Sequence, residues 1–144
     1  MGLVIYTDRF LPVGTAGRAL GPVALIRPSY RNDGGLRAHE LEHARQFWAA
    51  GLVVAVPLVA AGWFWGASAF WMELAFGSVL IPHHALYNWV RWYRLGAEVA
   101  AYRAQMEVAD GSEITLDTAA RRLAREELYG LGLTVDQAKA LLEA

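Results

Sequence analysis

The sequence predicts an α+β protein that is mostly α-helical and forms one domain over residues 1–144. Two short segments with strand character lie near the N-terminus, and helical spacing of apolar residues dominates the rest. A chain of 144 residues has the usual size of a single domain. Hydrophobic residues make up 56% of it, whereas ordinary globular domains have roughly 45–50%. The excess predicts either an extensive helical core or an apolar membrane element.

Residues 1–35 are expected to form a small antiparallel β element. Leu3–Phe10 alternates loosely between apolar and polar side chains, and Pro22–Arg27 is a second apolar run. The turn residues at 32–35 follow, with Asp33 placed to cap the next helix. A strand just before that helix can accept an extended peptide by pairing at its edge. A two-stranded cover over the core fits the pattern equally well.

Residues 36–50 are predicted to form a helix that carries the run His39-Glu40-Leu41-Glu42-His43. His39 and His43 are four residues apart, so they share a helix face and can bind one metal ion. Glu40 is rotated by roughly 100° around the axis and lies beside that ion. The chain has no cysteine, so His and carboxylate are the available ligands. The pattern is typical of zinc hydrolases, and its alternative is a surface helix with two idle histidines.

Residues 51–86 are predicted to form an apolar helical hairpin. No Asp, Glu, Lys or Arg occurs between Arg45 and Glu73, and a charge-free stretch above about 18 residues can cross a membrane. If metal ligands come from the residues before and after this apolar block, those two segments must lie on the same side of a bilayer. A hairpin that enters and leaves the bilayer on one side allows this, and a single membrane-spanning helix does not. We therefore expect membrane contact through residues 47–86. The alternative is a buried helical pair in a soluble cytoplasmic protein.

Residues 87–108 are predicted to form an amphipathic helix that supplies a third metal ligand, because two histidines alone do not hold catalytic zinc. Glu98 is the preferred ligand, since the small residues around it permit close packing against the histidine helix. Glu73, isolated within the apolar block, is the second candidate. The alternative role for Glu98 is a surface ion pair with Arg94, one turn earlier.

Residues 112–144 are predicted to form two amphipathic helices. The first, over Leu116–Tyr129, would be capped by Thr115 or Asp117, and the second by Thr134 in a capping box with Gln137. No catalytic or ligand-binding motif is recognised in this part of the chain, so we expect it to serve as a packing or partner surface.

A family resemblance follows from these motifs. The H-E-x-x-H run followed by a helical Glu resembles the gluzincin class of zinc metallopeptidases. The segment Glu98–Tyr102 is similar to the E-x-x-A-D element of the membrane-bound heat-shock metallopeptidases and prenyl-protein endopeptidases, which also place hydrophobic helices between the two motifs. It is similar, too, to small stand-alone zinc peptidases with a minimal gluzincin core. The resemblance covers Leu36–Gln46 and Arg94–Gln105. It implies Zn²⁺ held by His39, His43 and Glu98.

The resemblance implies a zinc metallopeptidase that hydrolyses a peptide or protein substrate. A zinc-bound water would be activated by Glu40 as general base. Tyr102, one turn beyond Glu98, stands where those families have Asp. It is the second catalytic candidate, because its phenol can contact a ligand imidazole or the oxyanion. Further candidates for a hydrogen-bond donor to the oxyanion are Tyr87, Tyr93, His84 and Arg91. Gln46 lies on the metal face and can either orient substrate or be a solvated side chain. His83 and His84 are expected to be interface or capping histidines.

Two other functions stay open at this point. One is a membrane-associated interaction or adaptor protein whose metal site is structural or vestigial, and the other is a membrane adaptor without metal. A net charge of −1 and the lack of a basic stripe argue against a nucleic-acid partner. Met1–Phe10 contains Asp8 and Arg9 and no apolar run, so no secretory signal peptide is predicted. The oligomeric state is not predicted.

Overall fold

The computed structural model describes residues 2–66, 68–108 and 114–144. Within these ranges the chain forms a three-stranded sheet followed by seven α-helices, so the predicted α+β, mostly α class is confirmed. The strands are β1 (Leu3–Tyr6), β2 (Gly17–Leu20) and β3 (Val23–Ile26). The helices are α1 (Gly34–Phe64), α2 (Ala69–Gly77), α3 (Pro82–Trp89), α4 (Arg91–Val108), α5 (Leu116–Leu123), α6 (Glu126–Tyr129) and α7 (Val135–Glu143). Short 3₁₀ turns lie at Pro28–Tyr30 and Ser78–Leu80.

The sheet is mixed, with the strand order β1-β3-β2. β2 and β3 form an antiparallel hairpin, and Gly21 between them has a positive φ of 60° that suits glycine. β1 pairs with β3 in parallel, so the expectation of an antiparallel element is wrong for this pair. The reason is β2, which the sequence analysis did not predict because Gly and Ala have weak strand propensity. The chain leaves β1, forms β2 at the opposite edge and returns as β3 between them, parallel to β1.

Helix α1 runs without a break past residue 50, where the boundary between the histidine helix and the apolar hairpin was predicted. The predicted cap is present, since Asp33 accepts a hydrogen bond of 2.6 Å from the Leu36 amide. Gly51 does not end the helix. A Cβ there would lie 2.5 Å from Cγ1 of Val79, so the glycine instead allows the returning chain to pack closely. Pro57 lies inside the helix as well, without ending it.

The second half of α1 and the returning α2 form the predicted apolar hairpin, but few of its side chains are buried. α1 is, by length and composition, the one helix among the described residues that could cross a membrane. Only 17% of its most apolar stretch is buried within the chain. Trp63, Phe64 and Trp65, at the tip, are 78%, 84% and 84% exposed. The apolar side chains therefore do not serve as the core of this chain.

The predicted helix over residues 87–108 is divided at Val90, which is extended with φ −113° and ψ 100°. α3 ends at Trp89, and α4 starts at Arg91 and packs along α1. The β-branched side chain of Val90 is compatible with such an extended backbone.

The C-terminal part contains three helices rather than two, because the predicted helix over Leu116–Tyr129 stops at Leu123 and resumes as α6. Residues 112 and 113, where the predicted segment begins, lie outside the described residues. Thr115 caps α5, and Thr134 forms the predicted capping box with Gln137. α5 and α7 pack on α4 around an apolar cluster made of Tyr102, Ile114, Ala119, Ala120, Leu123, Leu131, Ala138 and Leu142. α4 therefore contacts both α1 and the C-terminal helices.

Candidate metal centre

Two elements bring three metal-binding side chains together where α1 packs on α4. His39 and His43 come from α1, and Glu98 comes from α4; all three are buried. One donor atom from each lies within 4.8 Å of the others. His43 Nε2 is 3.4 Å from Glu98 Oε1, and His39 Nε2 is 3.8 Å from Glu98 Oε2. Zinc–ligand bonds of about 2.1 Å in a tetrahedron place ligand atoms about 3.4 Å apart, so this spacing suits one ion.

The neutral imidazole of His39 and the unpaired carboxylate oxygen of Glu98 also suit a cation. Burial lowers the pKa of His39 to about 3, with a further contribution from His43, so the imidazole is neutral at pH 7 as a metal ligand must be. Burial raises the pKa of Glu98, while His43 and the nearby tyrosine hydroxyls lower it. Among the described residues, Glu98 Oε2 has no hydrogen-bond partner. A buried, unpaired carboxylate oxygen is costly, and a metal ion would satisfy it.

Gln46 determines which nitrogen of His43 faces Glu98. Its amide nitrogen donates to the carbonyl of Ala97 and to Glu42 Oε1, both at 3.1 Å. The amide oxygen must then be the atom that lies 3.2 Å from His43 Nδ1. Nδ1 therefore carries the proton, and the lone pair of Nε2 points to the Glu98 carboxylate. The sequence allowed Gln46 to orient substrate or to be a solvated side chain, but the structure places it behind His43 with hydrogen bonds to Glu42 and Ala97.

Glu40 lies beside the three donors and is only 6% exposed. Strand β2 closes over it at Gly17, where a Cβ would lie 2.9 Å from Glu40 Oε1. Burial raises the pKa of Glu40 to about 8, and the charge of Glu98 acts in the same direction. A hydrogen bond from the Ala19 backbone and the charge of Arg18 oppose this shift. The result is a second carboxyl group at the site with a pKa near neutrality.

These side chains face a cleft of about 260 Å³. One wall is β2, an edge strand whose second edge is unpaired among the described residues. β3, the strand just before the histidine helix, is paired on both sides and has no free edge, so it cannot accept a peptide as expected; the free edge at the cleft belongs to β2, which the sequence analysis did not identify. The residues that line the cleft are Gly17, Arg18, Ala19, Leu20, Gly21, His39, Glu40, His43, His83, His84, Tyr87, Asn88, Glu98 and Tyr129.

Three tyrosines lie next to the metal-binding side chains or to one another at this site. The Tyr87 hydroxyl donates to Glu98 Oε1. The hydroxyls of Tyr102 and Tyr129 are 2.8 Å apart, and the Tyr102 ring packs edge-on against His39 with a centroid separation of 4.7 Å. Of the two contacts expected for Tyr102, the one with a ligand imidazole is present through its ring on His39, whereas the residue does not line the cleft and so is not placed to contact the oxyanion.

Tyr129 reaches the cleft from the C-terminal part of the chain, where the sequence analysis found no chemistry. It is the last residue of α6, directly before Gly130, and an aromatic residue at a helix end carries no signal of such a role. Its placement depends on the packing of the C-terminal helices on α4.

Two of the remaining candidates lie at the cleft. His83 and His84 on α3 both line it, which differs from the interface or capping role that was expected. His83 Nδ1 is 2.9 Å from the Tyr93 hydroxyl, so this tyrosine supports His83.

Three further residues do not have the roles that the sequence analysis considered for them, as metal ligand, oxyanion donor or ion-pair partner of Glu98. Glu73 is exposed on α2 and does not belong to the cluster of donors. Arg91 donates to the carbonyl of Leu131 and is therefore engaged away from the reacting atoms. Arg94 donates to the carbonyls of Tyr87 and Tyr129, at 2.8 Å each, rather than to Glu98.

Comparisons with models of known protein families, with curated proteins and with solved structures found no match for this chain.

Proposed function

We propose that this chain is a zinc-dependent metallopeptidase. The observation that carries the proposal is a fourth group, the buried carboxyl of Glu40, which faces the same cleft as His39, His43 and Glu98. Two imidazoles and a carboxylate form a donor set for catalytic zinc. The same set also binds Fe(II) in oxygenases. A carboxyl placed next to the donors favours hydrolysis, because hydrolysis needs a base beside the metal.

His39, His43 and Glu98 would hold the ion, which when bound polarises a carbonyl and makes water more acidic. Glu40 accepts the proton of the attacking water and passes it to the leaving amine. Its raised pKa in the metal-free chain favours the return of that proton. The unpaired edge of β2 holds an extended peptide through backbone hydrogen bonds.

A hydrogen-bond donor to the developing oxyanion is also required. Tyr87 is engaged with Glu98, and Tyr102 lies behind His39, so the best-placed donor is His83 on the cleft wall. When the Tyr93 hydroxyl donates to His83 Nδ1, the proton of this imidazole is on Nε2 and can be donated to substrate.

We also propose that the apolar hairpin, within residues 47–86, rests in one leaflet of a membrane. Residues 51–64 of α1 extend for about 21 Å and α2 for about 14 Å, at about 1.5 Å per residue. Both lengths are short of the roughly 30 Å hydrocarbon core. Entering one leaflet covers the exposed apolar side chains and keeps both flanks of the hairpin on the same side. The metal centre then lies outside the bilayer, close to its surface.

Metal analysis of the full chain tests the donor set. Wild type should bind one zinc ion per chain, and Glu98→Ala should lose it. Glu73→Ala is the matched control and should retain the ion, because Glu73 is exposed and outside the cluster. Equal zinc content in wild type and Glu98→Ala would reject the site.

Peptide cleavage tests the activity. Wild type with zinc should cleave a casein-like protein or members of a peptide library, and Glu40→Gln should retain zinc but not cleave. Zinc binding without any cleavage would instead support an interaction protein with a structural metal site. A chain that is purified without metal, folds normally and does not take up added zinc would support a membrane adaptor.

Vesicle flotation tests the hairpin. The chain should float with neutral phosphatidylcholine vesicles, and a variant with Trp63, Phe64 and Trp65 changed to Ser should stay at the bottom of the gradient. Equal behaviour of the two proteins would reject membrane insertion at this tip.

A further inference from the structure

We propose that Tyr87 is a positioning residue for the metal centre: its hydroxyl holds one oxygen of the Glu98 carboxylate and leaves the other oxygen for the ion. This inference rests on the metal site of the proposed function and deepens it. It concerns a residue of α3 that neither the H-E-x-x-H run nor the helical glutamate includes. The sequence analysis considered Tyr87 only as a donor to the oxyanion.

The Tyr87 side chain contacts two of the three metal-binding residues. Its hydroxyl donates a hydrogen bond to Glu98 Oε1. Its ring packs edge-on against the imidazole of His43, with the ring centroids 6.0 Å apart and an angle of 88° between the planes. A tyrosine phenol, with its usual pKa of about 10, keeps its single hydrogen at neutral pH and can donate it to a carboxylate. The hydroxyl and the ring of Tyr87 therefore act on different metal-binding residues.

The two oxygens of Glu98 have different surroundings as a result. Oε1 accepts the hydrogen bond from Tyr87, whereas Oε2 is buried without a hydrogen-bond partner among the described residues. A buried carboxylate oxygen that lacks a partner is costly. This oxygen lies 3.8 Å from His39 Nε2. The hydrogen bond at Oε1 thus restrains the rotation of the carboxylate and keeps the unpaired oxygen beside a ligand imidazole.

The backbone at Tyr87 is held by the same helix that carries Glu98. Arg94 of α4 donates to the carbonyl of Tyr87 at 2.8 Å and to the carbonyl of Asn88 at 3.1 Å. Carbonyls in the last turn of a helix lack partners within that helix, and a basic side chain can supply one. The extended residue Val90 separates α3 from α4, so these two hydrogen bonds fix where the end of α3 lies relative to α4.

Removal of the Tyr87 hydroxyl should therefore weaken metal binding. Groups that hydrogen-bond a metal ligand orient it, and their loss typically weakens metal binding by about 10–100-fold. Tyr87→Phe keeps the ring against His43 and removes only the hydroxyl. The carboxylate of Glu98 is then free to turn and to offer both oxygens to the ion. A tyrosine that only filled space would not have this effect, because Phe fills nearly the same volume.

The test uses the full chain and the variants Tyr87→Phe and Tyr93→Phe. Tyr93 is the matched control, because its hydroxyl lies 2.9 Å from Nδ1 of His83, which is outside the cluster of metal-binding residues. Zn²⁺ affinity is measured by competition with a chromogenic chelator. The visible spectrum of the Co²⁺-loaded protein reports the number and geometry of the ligands. Circular dichroism and thermal melting establish that each variant folds.

We expect Tyr87→Phe to bind Zn²⁺ about 10–100-fold more weakly than wild type. Its Co²⁺ absorption should also be weaker, because a carboxylate that binds through both oxygens raises the number of ligands. Tyr93→Phe should keep the Zn²⁺ affinity and the Co²⁺ spectrum of wild type. If Tyr87→Phe does not fold, Tyr87→Met takes its place with the same expectation, since Met fills irregular space and has no donor.

Wild-type affinity in the folded Tyr87 variant would overturn the inference and leave the proposed peptidase standing. A lower affinity with an unchanged Co²⁺ spectrum would overturn it too, since a change in positioning must alter the ligand geometry. An equal loss in Tyr93→Phe would do the same, because the effect would not be specific to the Glu98 hydrogen bond.

Two outcomes distinguish this inference from the proposed function. Zinc binding by wild type without cleavage, together with the expected loss in Tyr87→Phe, would reject the peptidase and support the role of Tyr87. Failure of wild type to bind zinc through His39 would reject both.

Discussion

Glu40→Gln separates two properties of this residue, the cost of its buried charge to the metal-free fold and its proposed role in proton transfer. Burial, followed by the charge of Glu98, raises the pKa of Glu40 from 4.5 to about 8. Each pKa unit corresponds to about 1.4 kcal/mol. Ionised Glu40 therefore costs the metal-free protein up to about 5 kcal/mol of folding free energy, a cost that the isosteric amide does not carry.

The sign follows from proton binding. Between pH 4.5 and about 8, the folded chain holds the Glu40 proton and the unfolded chain has lost it. The contribution of this group to stability therefore falls as the pH rises through that range. The metal-free Glu40→Gln variant should have the same free energy of unfolding as wild type near pH 4.5. Its advantage over wild type should grow as the pH rises to about 8 and above. Comparing the two proteins at each pH cancels the titration of His39.

Glu42→Gln is the matched control, two positions along the same helix. Burial raises the pKa of Glu42, but hydrogen bonds from Arg45 and Gln46 outweigh it and leave the pKa lowered. The ionised form of Glu42 therefore favours folding, and its amide should not gain stability at alkaline pH.

The assay is chemical denaturation of the chelator-treated proteins, followed by tryptophan fluorescence at several pH values. The zinc-loaded Glu40→Gln protein is then assayed for cleavage, where a loss of about 10²–10⁴-fold or more is expected for a missing general base. A stability difference between Glu40→Gln and wild type that stays constant with pH would refute the assignment of a buried carboxyl with a raised pKa. Retained cleavage would refute its role as base.

Two further predictions concern residues that support the site and the hairpin. Gln46→Leu removes the acceptor that orients His43, and zinc affinity measured by chelator competition should fall by about 10–100-fold; unchanged affinity would contradict the orienting role. Gly51→Ala places a Cβ 2.5 Å from Val79 Cγ1, and the overpacking should cost about 1–3 kcal/mol in thermal unfolding. Gly77→Ala is its control. A Cβ at Gly77 meets no atom within 4 Å, so Gly77→Ala should raise the free energy of unfolding by about 0.5–1 kcal/mol. Equal effects of the two substitutions would rule out the close contact of Gly51 with Val79.

Part of the candidate site follows from local spacing alone. His39, Glu40 and His43 fall within about one turn of one helix, and the helical period determines how they are arranged. The caps at Asp33 and Thr134 were predicted correctly for a similar reason, because a capping bond joins residues that are only two or three positions apart.

The limits of several elements could not be predicted, because the deciding contacts come from elsewhere in the chain. Gly51 resembles a helix breaker, but its lack of a Cβ serves the approach of Val79. The Gly17–Leu20 strand has weak intrinsic propensity, and it forms because β3 supplies its hydrogen-bond partners.

The sequence by itself determined the helical histidine pair with its neighbouring glutamate, the charge-free hairpin, and a mostly helical fold. Only the tertiary structure decided which acid lies beside the histidines. The small residues around Glu98 favoured it over Glu73 as the third ligand, but no local pattern shows which carboxylate packs against the imidazoles. The packing of α4 on α1 buries Glu98 against the imidazoles and leaves Glu73 exposed. The same kind of long-range packing brings Tyr129 into the cleft, a contact between distant segments that no local periodicity encodes.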